Sequence, residues 1–185
     1  MRKVVMLNRI SIDGYFASFN EKTGGMDWFV QDPKVDKAVH GLESTPADTL
    51  LLGAKTYTML QNSWVPMLKD PKTPKKLKNM AQELTNMTKV VFSHKLTSSS
   101  WENSRFVESD LPGTVKKLKR QKGSDILIMG SGTIVQQLTE AGLIDEYIFI
   151  VSPVIAGKGK ALFKDVEQRG IVLVSNKSFA SGNMV

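Results

Sequence analysis

Short runs of aliphatic and β-branched residues recur along the chain: Val4-Val5-Met6-Leu7, Thr49-Leu50-Leu51-Leu52, Lys89-Val90-Val91-Phe92 and Asp125-Ile126-Leu127-Ile128-Met129. Each is bounded by small or polar residues, the pattern of a strand buried on both faces. The longer stretches between them carry helical spacing. Asp32-Pro33 sets a capping side chain before a proline at the first helical position and predicts a helix to about Leu42. Ala54 to about Asn62, Pro74 to about Asn86, and a segment opened by Asp110-Leu111-Pro112 and running to about Lys122 predict three more. Later, Tyr147 to Val151 reads as a strand, and Ile171–Val174 with Asn176–Ala180 are expected to close the sheet as an antiparallel pair. Strands separated by helices imply right-handed parallel crossovers. The expected fold is therefore α/β: a mixed, mostly parallel central sheet flanked by helices, with an antiparallel C-terminal edge. No Pro/Gly/Ser-rich linker, repeat or low-complexity tract divides the chain, so residues 1–185 are read as one domain.

The most informative transition is Ile126-Leu127-Ile128-Met129-Gly130-Ser131-Gly132-Thr133-Ile134, where an apolar strand enters a small-residue turn that opens a helix. Small residues let a ligand approach the backbone, and the unpaired N–H groups of a helix's first turn point at any anion placed there. A nucleotide diphosphate fits this cradle. The G-x-G-x-x-G dinucleotide fingerprint is met only in part, by Gly130 and Gly132, with Val135 at its third position. Some 20 residues on, where that fingerprint needs an acidic residue for the ribose, the chain has Val151-Ser152-Pro153. A tight turn that binds nothing is the plain alternative.

Composition narrows the chemistry. With no Cys, disulfides, thiolate nucleophiles and Cys-ligated metals are excluded, and His40 and His94 lack metal-ligand spacing, so no metal is expected. The apolar run after Met1-Arg2-Lys3 is too short for a signal peptide, and no stretch approaches a membrane span, so the protein is expected in the cytoplasm. A net charge of +7 favours an anionic partner. The Lys-rich stretches 69–78 and 116–122 lie on or beside predicted surface helices, where a solvated face and an anion patch are both open readings, and they lack the interleaved aromatics of a nucleic-acid platform.

Four segments occur in order: Ser11-Ile12-Asp13-Gly14-Tyr15-Phe16-Ala17; Gly53-Ala54-Lys55-Thr56-Tyr57; Val90-Val91-Phe92-Ser93-His94-Lys95; and the cradle, continued by Ala141-Gly142-Leu143-Ile144-Asp145-Glu146 and Pro153-Val154-Ile155-Ala156-Gly157-Lys158-Gly159-Lys160-Ala161-Leu162-Phe163. Together they resemble the dihydrofolate reductase-like superfamily, in the branch related to the C-terminal reductase domain of bifunctional riboflavin-biosynthesis deaminase/reductases, over nearly the whole chain. The resemblance implies NADPH as cofactor, a small pterin-, pyrimidine- or flavin-like heterocycle as substrate, and a homodimer. It places Phe16, Ala17, Gly53, Lys55, Thr56, Ser93, His94, Lys95, Gly130, Ser131, Gly132, Thr133 and Ile134 around the cofactor, with a cis peptide at Gly130-Ser131 and a mobile loop from Asp13 to Ala17. It also puts Asn8, Trp28 and Trp64 at the substrate pocket. Two departures point away from the riboflavin step itself: Asn8-Arg9 stands where a Lys is common, and Trp64 follows Gly53–Met59 where a phosphoribosyl-binding pattern is usual.

Independent physical readings run alongside. Lys55 and Thr56 at a helix start, and Ser93-His94-Lys95 after a strand, offer hydroxyls and positive charge to phosphates; equally, Thr56 caps its helix and His94-Lys95 form a solvated loop. Hydride delivery needs a proton, and an acid with a raised pKa requires apolar shielding. Asp27, in Met26-Asp27-Trp28-Phe29, has such neighbours, and Asp13 is a second candidate; the structural alternatives are a helix cap for Asp27 and a turn anchor for Asp13. Trp64 either walls the pocket or packs the core. The rival to a reductase is a non-catalytic, basic nucleotide- or nucleic-acid-binding module on the same fold.

Overall fold

Why the apolar runs become the sheet is clear from their burial: in β1 (Val4–Ile10), β3 (Thr49–Gly53), β4 (Thr88–Phe92) and β6 (Ile126–Met129) consecutive residues are buried on both faces. A computed structural model describes residues 1–42 and 47–185, with the backbone alone for 40–42, so the side chain of His40 lies outside what is described. With β5 (Ser104–Val107) and β7 (Glu146–Val151) these strands form a six-stranded sheet in the order β5-β4-β3-β6-β1-β7, each neighbour parallel to the next. A separate antiparallel pair joins β2 (Tyr15–Ala17) to β8 (Lys160–Ala161).

Strand alternation sends side chains to two cores. On one face Val4, Met6, Leu51, Val90, Ile126 and Ile128 meet helices α4 (Leu111–Arg120) and α5 (Gly132–Glu140). On the other, Val5, Leu50, Leu52 and Val91 meet α2 (Ala54–Lys69), while Val35 and Val39 of α1 (Pro33–Leu42) pack on Ile150. Helix α3 (Lys75–Asn86) lies against α2. The two-sided covering accounts for a parallel sheet.

Several expectations are corrected. Helix α2 runs on to Lys69 with Pro66 inside it, because Trp64 and Val65 keep its apolar face on the core. The short β2, β5 and β8 were not anticipated. The pairing of Ile171–Val174 with Asn176–Ala180 does not form: residues 171–174 are 66, 88, 75 and 90% exposed and have no strand partner. Instead, Lys177 and Val185 exchange backbone hydrogen bonds, the chain turns at residues 180–182, and Met184 pairs antiparallel with Val151. Strand propensity alone supplies no partner for a backbone. Among the described residues no helix is long and apolar enough to cross a membrane.

Candidate functional site

Strands β3, β6 and β1 lie side by side in register, so their carboxyl ends deliver Gly53, Gly130-Ser131 and Asn8 to one place. Open α/β sheets bind ligands outside these ends. Gly130 and Ser131 both adopt left-handed backbone, with φ of 58° and 52°, and the described residues contain no cis peptide, so the expected cis bond at Gly130-Ser131 is replaced by a left-handed turn. Left-handed geometry suits Gly130 and is uncommon for serine. The turn is held on every side: Ser131 N donates to Thr56 Oγ1 (3.2 Å), Gly53 N donates to Ser131 Oγ (3.1 Å), Ser131 Oγ donates to the Met129 carbonyl (3.2 Å), and Asn8 Nδ2 donates to the Gly130 carbonyl (3.2 Å).

This hydroxyl traffic leaves two helices open. Neither Gly53 before α2 nor Ser131 before α5 gives its helix a side-chain cap, so two positive helix ends meet at one point without a protein anion. A Cβ at Gly130 would sit 3.2 Å from Thr56 Cγ2, and one at Gly132 would sit 2.6 Å from two carbons of the Phe16 ring. Phe16 thus lies over the mouth of α5, carried there by β2.

The remaining expected residues divide. Lys55 is exposed beside the equally exposed Glu21 at 3.8 Å, and Thr133 is exposed in the first turn of α5. Ser93 Oγ accepts from the N–H groups of Lys95 (3.1 Å) and Leu96 (2.7 Å), shaping the loop after β4 that carries the exposed His94 and Lys95. His94 faces Glu108 at 4.0 Å. Gly53 pairs with Phe92, so this loop shares the edge with the cradle. Ile134 is a correction: its side chain is buried in the core and its N–H donates to the Ser131 carbonyl, leaving nothing for a ligand. Ala17 is buried in β2. Val135, at the third fingerprint position, is fully buried between helix and sheet, where glycine would leave a void.

Neither carboxylate has the shielding asked of an acid. Asp27 is exposed and accepts from the hydroxyls of Ser18 and Thr23, which hold its pKa below the ordinary carboxylate range. It organises the turn around a short 3-10 segment, Glu21–Thr23, rather than capping a helix. Asp13, also exposed, receives the N–H groups of Ala156 (3.0 Å) and Gly157 (2.8 Å); with the neighbouring Ser11 hydroxyl as the largest influence, its pKa falls to about 2. It ties the loop after β1 to the loop before β8.

Asn8 is buried at the cradle, and Trp64 is half-buried against the core on the α2 face. Trp28 packs against Phe29 with ring centres 4.3 Å apart and planes tilted by 52°, and its indole N–H is sealed without an acceptor among the described residues. Sequence reasoning missed Arg9 beside Asn8. Its Nη2 binds Asp36 of α1, yet its Nη1 is a second sealed donor without a partner among the described residues. The signal was a cation inside an apolar strand.

Comparison with known proteins agrees with the architecture. The chain is 30% identical to the uncharacterized protein YyaP of Bacillus subtilis (strain 168), with 98% of this chain and 91% of that protein covered. Among solved structures, a protein proposed to act in riboflavin biosynthesis from Shewanella sp. PV-4 superposes with a TM-score of 0.70 at 21% identity, covering 98% of this chain and 95% of the other. The diaminohydroxyphosphoribosylaminopyrimidine deaminase/5-amino-6-(5-phosphoribosylamino)uracil reductase of Thermotoga maritima superposes at 0.64 with 17% identity, over 99% of this chain and 55% of that protein. The model of the RibD C-terminal domain family matches residues 2–185, and the chain belongs to that family.

Proposed function

We propose that the chain is an NADPH-dependent reductase whose cofactor diphosphate lies against the N–H groups of Gly132 and Thr133, beside Ser131. One observation carries this reading: α2 and α5 open without side-chain caps at the same point on the carboxyl edge. Bound there, NADPH supplies the hydride. The chain's own residues then orient and discriminate. Ser93, His94 and Lys95 stand one strand away to receive the adenosine 2′-phosphate, and Phe16 moves off Gly132 to admit the diphosphate and packs beside it. The substrate is a small heterocycle of pterin, pyrimidine or flavin type, in keeping with the family of the chain. Because Asp13 and Asp27 are both stabilised as carboxylates, the proton comes from another donor, such as an ordered water.

The depressed pKa values of Asp13 and Asp27 also favour a second reading, a basic nucleotide- or nucleic-acid-binding module without turnover. Fluorescence titration separates the possibilities. Saturable binding of NADPH with none for oligonucleotides supports the cradle reading, and oxidation of NADPH by a panel of pterins, pyrimidines and flavins supports the reductase. Oligonucleotide binding in place of NADPH overturns the reductase and supports the second reading.

Self-association belongs to the same proposal. Strand β7 ends the sheet, and Tyr147, Phe149 and Phe163 form a partly exposed aromatic cluster beside it, with ring centroids 6.1–6.3 Å apart. A second copy covering this edge protects both features. Light scattering is expected to give a dimer mass at micromolar concentration; a monomer mass contradicts it.

A further inference from the structure

The amino edge of the sheet, remote from the cradle, holds a cavity of about 340 Å³ between the starts of β3 and β4, strand β5 and the ends of α3 and α4. Thr88, Asn86 and Gln121 give it polar walls, with Val90 and Leu118 beneath. Three cations, Arg2, Arg105 and Lys122, face it with one carboxylate, Asp48.

That carboxylate is fully engaged. Asp48 Oδ1 accepts from Arg2 and from the Thr49 hydroxyl, and Oδ2 accepts from the Ser124 N–H at 2.8 Å. Arg2, only 6% exposed in its side chain, is pinned by this pair, by Thr49 Oγ1 (2.7 Å) and by the Ser124 carbonyl through Nε. Its Nη1 has no hydrogen-bond partner among the described residues. Arg2 lines the cavity, so a fixed guanidinium stands in its wall. Arg105 and Lys122 are exposed and make no ion pair with the described residues.

The charges can be weighed. Asp48 neutralises Arg2, leaving two positive charges. The carboxyl ends of α3 and α4 oppose them with roughly half a negative charge each, so a net charge of about +1 persists around a partly enclosed space. Structural use of these cations as helix-end partners is therefore incomplete.

We propose that this cavity is a second binding site, for a phosphate-bearing small molecule. Two exposed cations beside a pinned guanidinium suit a multiply charged oxyanion with several acceptor oxygens, whereas one cation would satisfy a lone carboxylate. The site is independent of the nucleotide cradle.

Pyrophosphate is the probe, titrated into the full chain at constant ionic strength and followed by residue-resolved amide NMR. Saturable shifts at Thr49, Thr88, Arg105 and Gln121 are expected, separate from any at Gly53 or Gly130–Thr133. The double variant Arg105→Ala/Lys122→Ala, altered only at exposed positions, is expected to fold, to weaken the amino-edge response at least tenfold, and to leave NADPH affinity within twofold. Absence of saturable shifts at the amino edge, equal shifts from sodium chloride, or an unchanged response in the double variant overturns the proposal. None of these outcomes bears on the cradle.

Discussion

At the amino edge of the sheet buried cations close the loose ends of the chain, whereas at the carboxyl edge the openings of α2 and α5 receive no charged cap among the described residues. Lys89, fully buried at the start of β4, donates to the carbonyls of Leu84 (3.1 Å), Thr85 (2.7 Å) and Met87 (2.8 Å) and so finishes the end of α3. Its ammonium lies 4.7 Å from the Trp101 ring centre, and burial draws its pKa down to about 8 against the opposing pull of Glu102. Lys119 joins Asp145 and the Leu143 carbonyl, and Arg2 joins Asp48. Asp32 and Asp110 cap α1 and α4, but at the openings of α2 and α5 the described contacts are hydroxyls turned to the turn itself, Ser131 and Thr56. Buried cations gather at the amino edge; the openings of α2 and α5 keep uncapped N–H groups beside the left-handed Gly130 and Ser131, features that an anion repays. The difference teaches where the parallel sheet has room for chemistry.

The largest expected effect breaks the open edge. Gly132→Val adds a side chain where the Phe16 ring now lies 2.6 Å from a Cβ, in a helical conformation that itself tolerates valine. Losing two N–H contacts to a diphosphate lowers NADPH affinity by ~100-fold or more. Thermal melting should fall modestly, and Phe16→Ala in the same background should recover the melt without recovering binding. A Gly132→Val variant that binds NADPH like the parent would make this turn a mere connection.

The closed edge responds in stability instead. Lys89→Met removes the donor to three carbonyls and is expected to cost about 2 kcal/mol or more in urea unfolding, with NADPH affinity in the folded protein unchanged. Loss of cofactor binding without loss of stability would reverse the assignment of the two edges. Smaller again is cofactor choice: NADPH should bind ~10-fold tighter than NADH, and Lys95→Ala should narrow the gap. Equal dissociation constants in the parent would remove Ser93-His94-Lys95 from the site.

The smallest effect is acid sensitivity of the loop tie. Asp13 has a folded pKa of about 2, below its ordinary value near 4. A depressed carboxylate stabilises above its unfolded pKa and loses that contribution as pH falls through the folded one, so the tie to Ala156 and Gly157 weakens between about pH 4 and 2. Amide exchange at Ala156 and Gly157 should rise over that window, and Asp13→Asn should raise it already at neutral pH.

Legibility in the sequence followed the same division. Runs such as Leu50-Leu51-Leu52 and Ile126-Leu127-Ile128 read directly as strands because burial on both faces leaves only apolar residues. The cradle was legible because small residues after a strand have few other uses. Strand β8, two residues long, and β2, three, are too short to carry a period, and Ile171–Val174 shows that β-branched composition does not provide a partner. At the site, Asp27 misled because apolar neighbours in sequence are not neighbours in space: its hydroxyl partners Ser18 and Thr23 come from the preceding turn. That Arg9 and Trp28 carry unpaired donors was not legible, because a missing hydrogen bond is a property of the packed protein alone.

A crystal structure of the chain with NADPH tests the central claim most directly. The account predicts diphosphate oxygens within hydrogen-bond distance of the Gly132 and Thr133 N–H groups, the 2′-phosphate beside Ser93–Lys95, and the Phe16 ring displaced from Gly132. A diphosphate bound elsewhere, with Phe16 still seated over α5, would contradict it.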